Sequence, residues 1–347
     1  MTRYRCACGI DVHTHIVPEN FPAYLGNKVP AQWPSMAPAH ECHRNVMISS
    51  KVYRTVSNQC WDISRRIAEM PDMGVGIQAI SPMPELLGYW LEPADGAQLT
   101  RFLNEQMAEM AALSGGHIIG LGAVPLQDVD LAIAELRYCV EKLGFKGVEL
   151  GSNINGVVLG DPKLDPFFEA CEAMDAAVFV HALRPVGMER LIGPPNLQQI
   201  LAYPSDVGLS AASVLTSNLL LRRPKLRIAF SHGGGTLASL LPRLQQSYRV
   251  MKPMQAQMQL APNEQARRLF LDTLVFDTPM LHHLARTFGT SQLLIGTDYP
   301  FAFDDERPVQ SIEAAGFDDA TVDALVFKNA LRFLGLPESA LPTSPSA

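Results

Sequence analysis

The chain has 347 residues, and its 28 Lys and Arg residues against 35 Asp and Glu residues give a formal net charge of −7. Hydrophobic residues make up 47% of the chain and charged residues 18%, which is ordinary globular usage and excludes disordered, collagen-like and coiled-coil classes. The acidic balance, together with the absence of a run rich in Lys and Arg, argues against nucleic acid as a partner.

Two further features bear on location. The six cysteines are few and irregularly spaced for this length, which favours thiols in a reducing compartment over a disulfide framework. No stretch approaches the roughly 18 consecutive apolar residues that a membrane-spanning helix needs. We therefore expect a cytoplasmic protein that has no membrane partner.

Short apolar runs recur along the chain, each followed by a polar or glycine turn and then by a helical pattern. They are apolar on both faces, as strands of a buried parallel sheet are. The runs are residues 8–13, 76–81, 118–122, 147–151, 177–181, 227–231, 274–277 and 293–296, and the clearest helical patterns are 98–112, 129–143 and 166–174. This alternation predicts a (β/α)8 TIM barrel, an α/β fold, rather than an open doubly wound sheet.

The barrel is predicted to form a single domain over residues 1–336. Residues 18–62 lack a strong period and are rich in Pro, Asn, Ser and His, so we interpret them as an insertion after the first strand, with a small hairpin around residues 46–56. Loops after barrel strands form the active-site face, so this insertion is expected to be a lid or a pocket wall. Residues 337–347 are predicted to be a disordered tail.

Histidine and aspartate side chains occur where several predicted strands end. His13 and His15 are two residues apart on the first strand and so point the same way. His181 ends the fifth strand, His232 follows the sixth and Asp298 follows the eighth. In a barrel these strand ends converge on one face. Imidazoles with a carboxylate around an open position suit Zn²⁺ or another borderline divalent ion, which lowers the pKa of a bound water to about 7.

Several strings in the chain carry a more specific signal. The strongest are Ser231-His232-Gly233-Gly234-Gly235, Gly296-Thr297-Asp298-Tyr299-Pro300-Phe301 and Phe333-Leu334-Gly335, with Lys51-Val52-Tyr53-Arg54, Cys60-Trp61-Asp62 and Gly88-Tyr89-Trp90 in support. Over residues 11–336 the chain resembles the amidohydrolase superfamily, and more closely its aminocarboxymuconate-semialdehyde decarboxylase branch. The strings are specific to this branch and less specific about substrate.

The resemblance implies one divalent metal ion, with Zn²⁺ preferred, held by His13, His15, His181 and Asp298. It makes His232 the general base that deprotonates the metal-bound water. The glycine-rich turn around His232 is compatible with that role, and a direct ligand role for His232 stays open. Arg54 would hold a substrate carboxylate, and Arg243 would do so in the site of a neighbouring subunit, which implies a homodimer. Trp90 is expected to line the pocket, with core packing as its alternative.

The fourth predicted strand argues against a second metal. Binuclear members of the superfamily carry a carboxylated lysine at the end of this strand, whereas Lys146 here stands before it. Glu149 is the ionisable group nearest the active face. We therefore expect a single metal, with Glu149 as a structural carboxylate close to the ligands.

One segment departs from the branch as the resemblance defines it. After His181 the branch has Pro-Trp, whereas this chain has Ala182-Leu183-Arg184, so an indole is replaced by Leu183 and a new cation follows it. The resemblance implies a metal-dependent, non-oxidative decarboxylase of an unsaturated or aromatic carboxylate, with 2-amino-3-carboxymuconate 6-semialdehyde as the leading substrate. The alternatives are a hydroxybenzoate decarboxylase, in which Asp298 donates the proton, and a hydrolase or hydratase on the same scaffold.

Overall fold

The computed structural model describes residues 8–26 and 32–341. Eight parallel strands form the main sheet in the order β1-β5-β6-β7-β10-β11-β12-β13. The strands are β1 (Gly9–Ile16), β2 (Ser35–Pro38), β3 (His43–Ile48), β4 (Lys51–Ser57), β5 (Val75–Pro82), β6 (Ile118–Gly122), β7 (Gly147–Gly151), β8 (Asn153–Ile154), β9 (Val157–Val158), β10 (Ala177–His181), β11 (Ile228–Phe230), β12 (Phe270–Asp272) and β13 (Leu293–Leu294).

The sheet closes on itself between its first and last strands. The backbone N–H of Val12 donates to the carbonyl of Ile295 at 2.9 Å, and that of His15 donates to the carbonyl of Tyr299 at 2.8 Å. These bonds join β1 to the segment that continues β13, which leaves no free edge. The predicted (β/α)8 barrel is therefore confirmed.

Helices surround the barrel and connect its strands. They are α1 (Ile63–Glu69), α2 (Pro93–Leu113), α3 (Val129–Glu141), α4 (Asp165–Ala173), α5 (Tyr203–Thr216), α6 (Leu219–Arg222), α7 (Leu237–Val250), α8 (Lys252–Gln257), α9 (Pro262–Ala266), α10 (Thr278–Phe288), α11 (Pro308–Ala314), α12 (Asp319–Asp323) and α13 (Asn329–Leu334). Within the described ranges, no helix is both long enough and apolar enough to cross a bilayer.

Two layers of apolar side chains hold the barrel together. Outside the sheet, the helices bury their apolar faces against the outward-facing strand residues. Inside it, side chains such as Val12 and Phe179 pack together with Phe333 from α13. The Phe333 ring lies 5.4 Å from the ring of Phe270, at the start of β12, so α13 closes the N-terminal end of the barrel. The opposite, C-terminal end is left open for a site.

The insertion after β1 forms a small antiparallel sheet in the order β2-β3-β4. Strands β3 and β4 are the hairpin expected around residues 46–56, and β2 adds a third strand that the sequence pattern did not reveal. Its buried residues Val46 and Val56 pack with Met83 and Leu86, which follow β5. The insertion thus covers one side of the open end of the barrel.

The position of the seventh barrel strand differs from the prediction. The apolar run 274–277 was assigned to it, whereas β12 is Phe270–Asp272, and residues 274–276 line the cavity beyond its end. Both stretches are apolar, because β12 packs into the core and residues 274–276 line the cavity wall. Composition alone therefore does not show which of the two is the strand. In the predicted tail, Glu338–Ala340 form a single 3-10 turn, and residues 342–347 lie outside the described part of the chain.

Candidate active site

Four ligand-type side chains converge at the C-terminal end of the barrel. One donor atom from each of His13, His15, His181 and Asp298 lies within 4.8 Å of the other three. Oδ1 of Asp298 lies 3.4 Å from Nε2 of His13, 3.0 Å from Nε2 of His15 and 3.9 Å from Nε2 of His181. The structure therefore brings together the four residues that the sequence assigned to a metal.

These four atoms are buried, and none of them has a hydrogen-bond partner among the described residues. Polar atoms in that condition cost free energy unless something else satisfies them. Three imidazole nitrogens and a carboxylate oxygen are a donor set that suits Zn²⁺ and related divalent ions. The residues present thus fit a divalent cation.

Hydrogen bonds on the far side of each imidazole fix its orientation. Nδ1 of His13 lies 2.7 Å from Oδ2 of Asp272, and Nδ1 of His181 lies 2.8 Å from the carbonyl of Ala182. Nδ1 of His15 lies 3.3 Å from the carbonyl of Pro82. With Nδ1 protonated and bonded, Nε2 of each ring is left as the lone-pair donor, as metal ligation requires.

Charges and burial set the protonation of this cluster. Burial lowers the pKa of His15 to about 4 and that of His181 well below its ordinary value, which keeps both rings in the neutral form that binds metals. Burial also acts to lower the pKa of His13, but Asp272 and Asp298 outweigh it and raise the pKa to about 10. The two carboxylates would equally compensate the charge of a bound cation.

Asp272 is a fully buried carboxylate at the end of β12, for which the sequence indicates only a capping or orienting role near the seventh strand. Its Oδ2 also accepts the backbone N–H of His232 at 2.9 Å, and its Oδ1 accepts the N–H of Gly233 at 2.7 Å and that of Leu274 at 3.2 Å. The carboxylate therefore ties a predicted ligand, His13, to the turn that carries the predicted base. A charged residue at the end of a buried apolar strand was the signal available in the sequence.

His232 lies beside the four ligand-type residues and is not one of them. Its ring centroid is 5.1 Å from that of His181 and 5.4 Å from that of His13. It has a positive φ of 54° and begins the turn that Gly233 and Gly234 continue, also with positive φ. Its Nδ1 lies 3.1 Å from Oγ of Ser231, and its side chain lines the open cavity.

The cavity above these residues has a volume of about 1050 Å³. Arg54 of β4 reaches into it with its guanidinium 4.2 Å from the centroid of the Phe301 ring, and it has no hydrogen bond or ion pair with any described residue. The phenols of Tyr53 and Tyr203 face each other in the wall, and burial raises the pKa of both. The cavity thus combines an available cation with aromatic walls, as a site for a planar carboxylate would.

The other two predicted substrate contacts lie elsewhere. Arg243 is exposed on α7 and is not part of the cavity wall of its own chain. Trp90 lines a second, smaller pocket of about 260 Å³, where the guanidinium of Arg184 lies over its ring. A role for Trp90 in substrate binding stays a prediction.

Two buried ionisable residues lie behind the metal-ligand cluster. Glu149 is fully buried with Oε1 4.0 Å from Nδ1 of His15, and burial raises its pKa to about 8. Arg66, also fully buried, donates to Oε1 of Gln78 at 3.0 Å and to the backbone carbonyl of His15. Arg66 therefore links α1 of the insertion side to the strand that carries two ligands, a link that no sequence pattern revealed.

The closed barrel and the ligand cluster at its mouth define a (β/α)8-barrel protein with a metal-binding site. The chain belongs to the amidohydrolase family, since the family model described as "Amidohydrolase" matches residues 10–336. It is 35% identical over 331 residues to the 2-amino-3-carboxymuconate-6-semialdehyde decarboxylase of Dictyostelium discoideum, covering 94% of this chain and 91% of the relative.

Solved structures show the same architecture. The 5-carboxyvanillate decarboxylase LigW from Sphingomonas paucimobilis superposes with a TM-score of 0.73 at 25% identity, covering 81% of this chain and 85% of that one. The IDCase of Metarhizium anisopliae, in apo form, gives a TM-score of 0.79 at 21% identity, covering 94% of this chain and 97% of that one. Because the identity to the IDCase is only 21%, that similarity is evidence for the fold alone.

Proposed function

We propose that this protein is a metal-dependent, non-oxidative decarboxylase whose leading substrate is 2-amino-3-carboxymuconate 6-semialdehyde. The observation that carries the proposal is the unpaired guanidinium of Arg54 in the same cavity as the metal-ligand cluster and His232. The curated relative that is 35% identical over most of both chains is named for this reaction. A cavity of about 1050 Å³ is ample for a ligand of this size.

His13, His15, His181 and Asp298 would hold one divalent ion, with Zn²⁺ preferred. Such an ion would polarise a substrate oxygen or acidify a water molecule. Zinc-dependent stabilisation of the folded protein is expected, because an ion that binds only the folded state raises its melting temperature. The measurement is a thermal melt with and without a chelator, beside metal analysis of the purified protein. The variant His181→Ala should lose the zinc-dependent shift.

This chain's own side chains would divide the remaining work. Arg54 would bind a substrate carboxylate through its fork of N–H donors. Burial lowers the pKa of His232, so its ring is neutral at pH 7 and able to accept a proton and return it. The overall step replaces the bond between carbon and the departing carboxylate by a bond to hydrogen, with release of CO2. His232 would transfer that proton.

The decisive experiment measures CO2 released from 2-amino-3-carboxymuconate 6-semialdehyde generated in situ by the zinc-loaded protein. Rapid release that is lost in Arg54→Ala supports the proposal. No release from protein that holds its metal would overturn it. A parallel assay with 2,6-dihydroxybenzoate tests the hydroxybenzoate alternative, and a product without CO2 would indicate a hydrolase or hydratase.

The dimer is part of the same proposal. Arg243 is exposed on α7, and the neighbouring helices α5 and α7 also expose Leu209 (53%) and Leu240 (43%), which a second copy would cover. Arg54→Ala and Arg243→Ala should each be inactive alone and regain activity when mixed, because a mixed dimer contains one intact site. Failure of the mixture, or a monomer in sedimentation, would remove the role of Arg243. The few, irregularly spaced cysteines support a cytoplasmic location.

A further inference from the structure

An ion pair spans the open end of the barrel at one side of the large cavity. Glu85 lies in the turn after β5, and Arg184 follows β10, 99 positions later. Arg184 donates from Nε at 3.0 Å and from Nη2 at 2.6 Å, and both bonds end on Oε1 of Glu85. Oε2 of the same carboxylate accepts no hydrogen bond from any described residue and is not sealed off from solvent.

Arg184 is held in place by more than this pair. Its guanidinium lies over the ring of Trp90. Its backbone has a φ of +41°, a left-handed conformation that persists in an L residue only where the surroundings impose it. The Glu85 side chain is 9% exposed and that of Arg184 38% exposed, so the carboxylate is the more enclosed partner. Arg184 therefore acts as a fixed support for Glu85.

Glu85 and Arg54 both line the cavity and carry opposite charges. Burial raises the pKa of Glu85, and Arg184 followed by Arg54 opposes that rise. A carboxylate placed near the anion-binding Arg54 repels a ligand that offers only negative charge. It favours a ligand that also offers an N–H or O–H group, since a ligand that displaces water from the carboxylate without supplying a donor leaves the acceptor unsatisfied, which costs free energy.

We infer that Glu85 is a specificity-determining residue, held by Arg184, which accepts a hydrogen bond from an amino or hydroxyl group that the substrate carries beside the carboxylate bound by Arg54. The inference rests on the proposed function for the role of Arg54 and narrows its substrate class. The site selects donor-bearing carboxylates and discriminates against plain ones. Arg184, which sets this chain apart from the branch it resembles, is the positioning residue of the pair.

The test compares two probes that differ by one donor, anthranilate (2-aminobenzoate) and benzoate. Their affinities for the zinc-loaded, full-length protein are measured by calorimetry. In Glu85→Gln the affinity for anthranilate should fall about tenfold, because a hydrogen bond to a neutral amide oxygen replaces a stronger one to a charged carboxylate. The affinity for benzoate should be unchanged or higher. Chelation of zinc by anthranilate is common to wild type and variant, so the change in ratio reports Glu85.

Two further variants keep the test decisive. Arg184→Met leaves the Glu85 carboxylate in the chain without its support and should lower the ratio of anthranilate to benzoate affinity in the same direction. Glu92→Gln changes an exposed glutamate nearby in sequence and should change neither affinity. A thermal melt of each variant identifies any that has lost its fold. Should Glu85→Gln be such a variant, Arg184→Met carries the test.

An unchanged affinity ratio in both folded variants would overturn the inference, as would equal loss of both ligands. A lower ratio of anthranilate to benzoate affinity in the variants supports the inference even if no CO2 is released from any substrate. In that case the proposed reaction is wrong, and the proposed ligand class is retained. Conversely, CO2 release with an unchanged ratio supports the reaction and overturns the role of Glu85.

Discussion

The carboxylate of Asp272 lies 2.7 Å from Nδ1 of His13, and the same oxygen accepts the backbone N–H of His232 at 2.9 Å. One buried side chain thus orients a proposed metal ligand and the backbone of the proposed base. Carboxylates that accept a hydrogen bond from a ligand histidine fix its tautomer and raise its basicity. The arrangement predicts that the metal site depends on a residue that would not contact the metal.

Replacement of Asp272 by Asn tests this dependence. An amide nitrogen in place of Oδ2 would donate to Nδ1 of His13 and move the ring proton to Nε2, the atom that faces Asp298. We expect zinc affinity to fall about 10–100-fold, measured by competition with a chelator. The control is Asp277→Asn, because Asp277 caps α10 and Asn is an equally good cap. Wild-type affinity in Asp272→Asn would show that the contact is incidental.

Removal of the His232 ring should separate catalysis from metal binding. In His232→Ala we expect full metal content and a kcat lower by about 10²–10⁴, the usual contribution of a general acid or base. His282→Ala is the matched control. His282 lies on α10, and its Nε2 is hydrogen-bonded to the backbone carbonyl of Ala315, outside the cavity wall. Loss of the metal in His232→Ala would instead make His232 a ligand.

The turn after His232 should not tolerate a side chain at Gly235. A Cβ there would lie 1.9 Å from the carbonyl oxygen of Pro204, at a φ of +58°. Gly115 has a similar φ of +63°, and a Cβ added there would meet no atom of the described residues within 4 Å apart from its chain neighbours. Gly115→Ala therefore reports the cost of a positive φ without a clash, about 1 kcal/mol. Gly235→Ala should cost about 1–3 kcal/mol more in denaturant melts and also lower kcat. Equal losses of stability in Gly235→Ala and Gly115→Ala would show that the backbone around Gly235 can shift to accommodate the methyl group.

Glu69 should contribute stability that depends on pH. Burial acts to raise its pKa, but hydrogen bonds from Tyr299, Arg65 and Gln59 outweigh it and hold the pKa below its ordinary value. A lowered pKa in the folded state gives stability that is present at neutral pH and lost as the pH falls through the folded-state pKa.

The variant Glu69→Gln should therefore be less stable than wild type at pH 7, by on the order of 1 kcal/mol. The difference should begin to shrink as the pH drops below about 4.3, the ordinary pKa of a glutamate, and should disappear below the lower folded-state pKa, where the carboxyl is protonated in both states. Melting temperatures between pH 7 and pH 3.5 provide the measurement. Glu92→Gln, which neutralises an exposed glutamate, is the control for loss of a surface charge. A difference that does not vary with pH would contradict the role of the charge.

Much of the fold was predictable because its signals are local. The strand at 177–181 and the strand at 147–151 have the bounds that the apolar runs indicated, since both faces of these strands are buried. The strand at 274–277 was misplaced because apolar residues also line the cavity there. The third strand of the insertion was missed, since residues 35–38 carry no alternating pattern.

The sequence by itself determined the barrel and put histidines and an aspartate at its strand ends, and the family resemblance predicted which four of them are metal ligands. Each ligand follows or ends a strand whose pattern is readable in its own segment, and barrel geometry brings strand ends to one face. Only the tertiary structure decided the contact of His13 with Asp272, 259 positions away, and that of Glu85 with Arg184, 99 positions away. Neither pair has a local pattern, because a hydrogen bond between distant segments depends on how closely packing brings two side chains together.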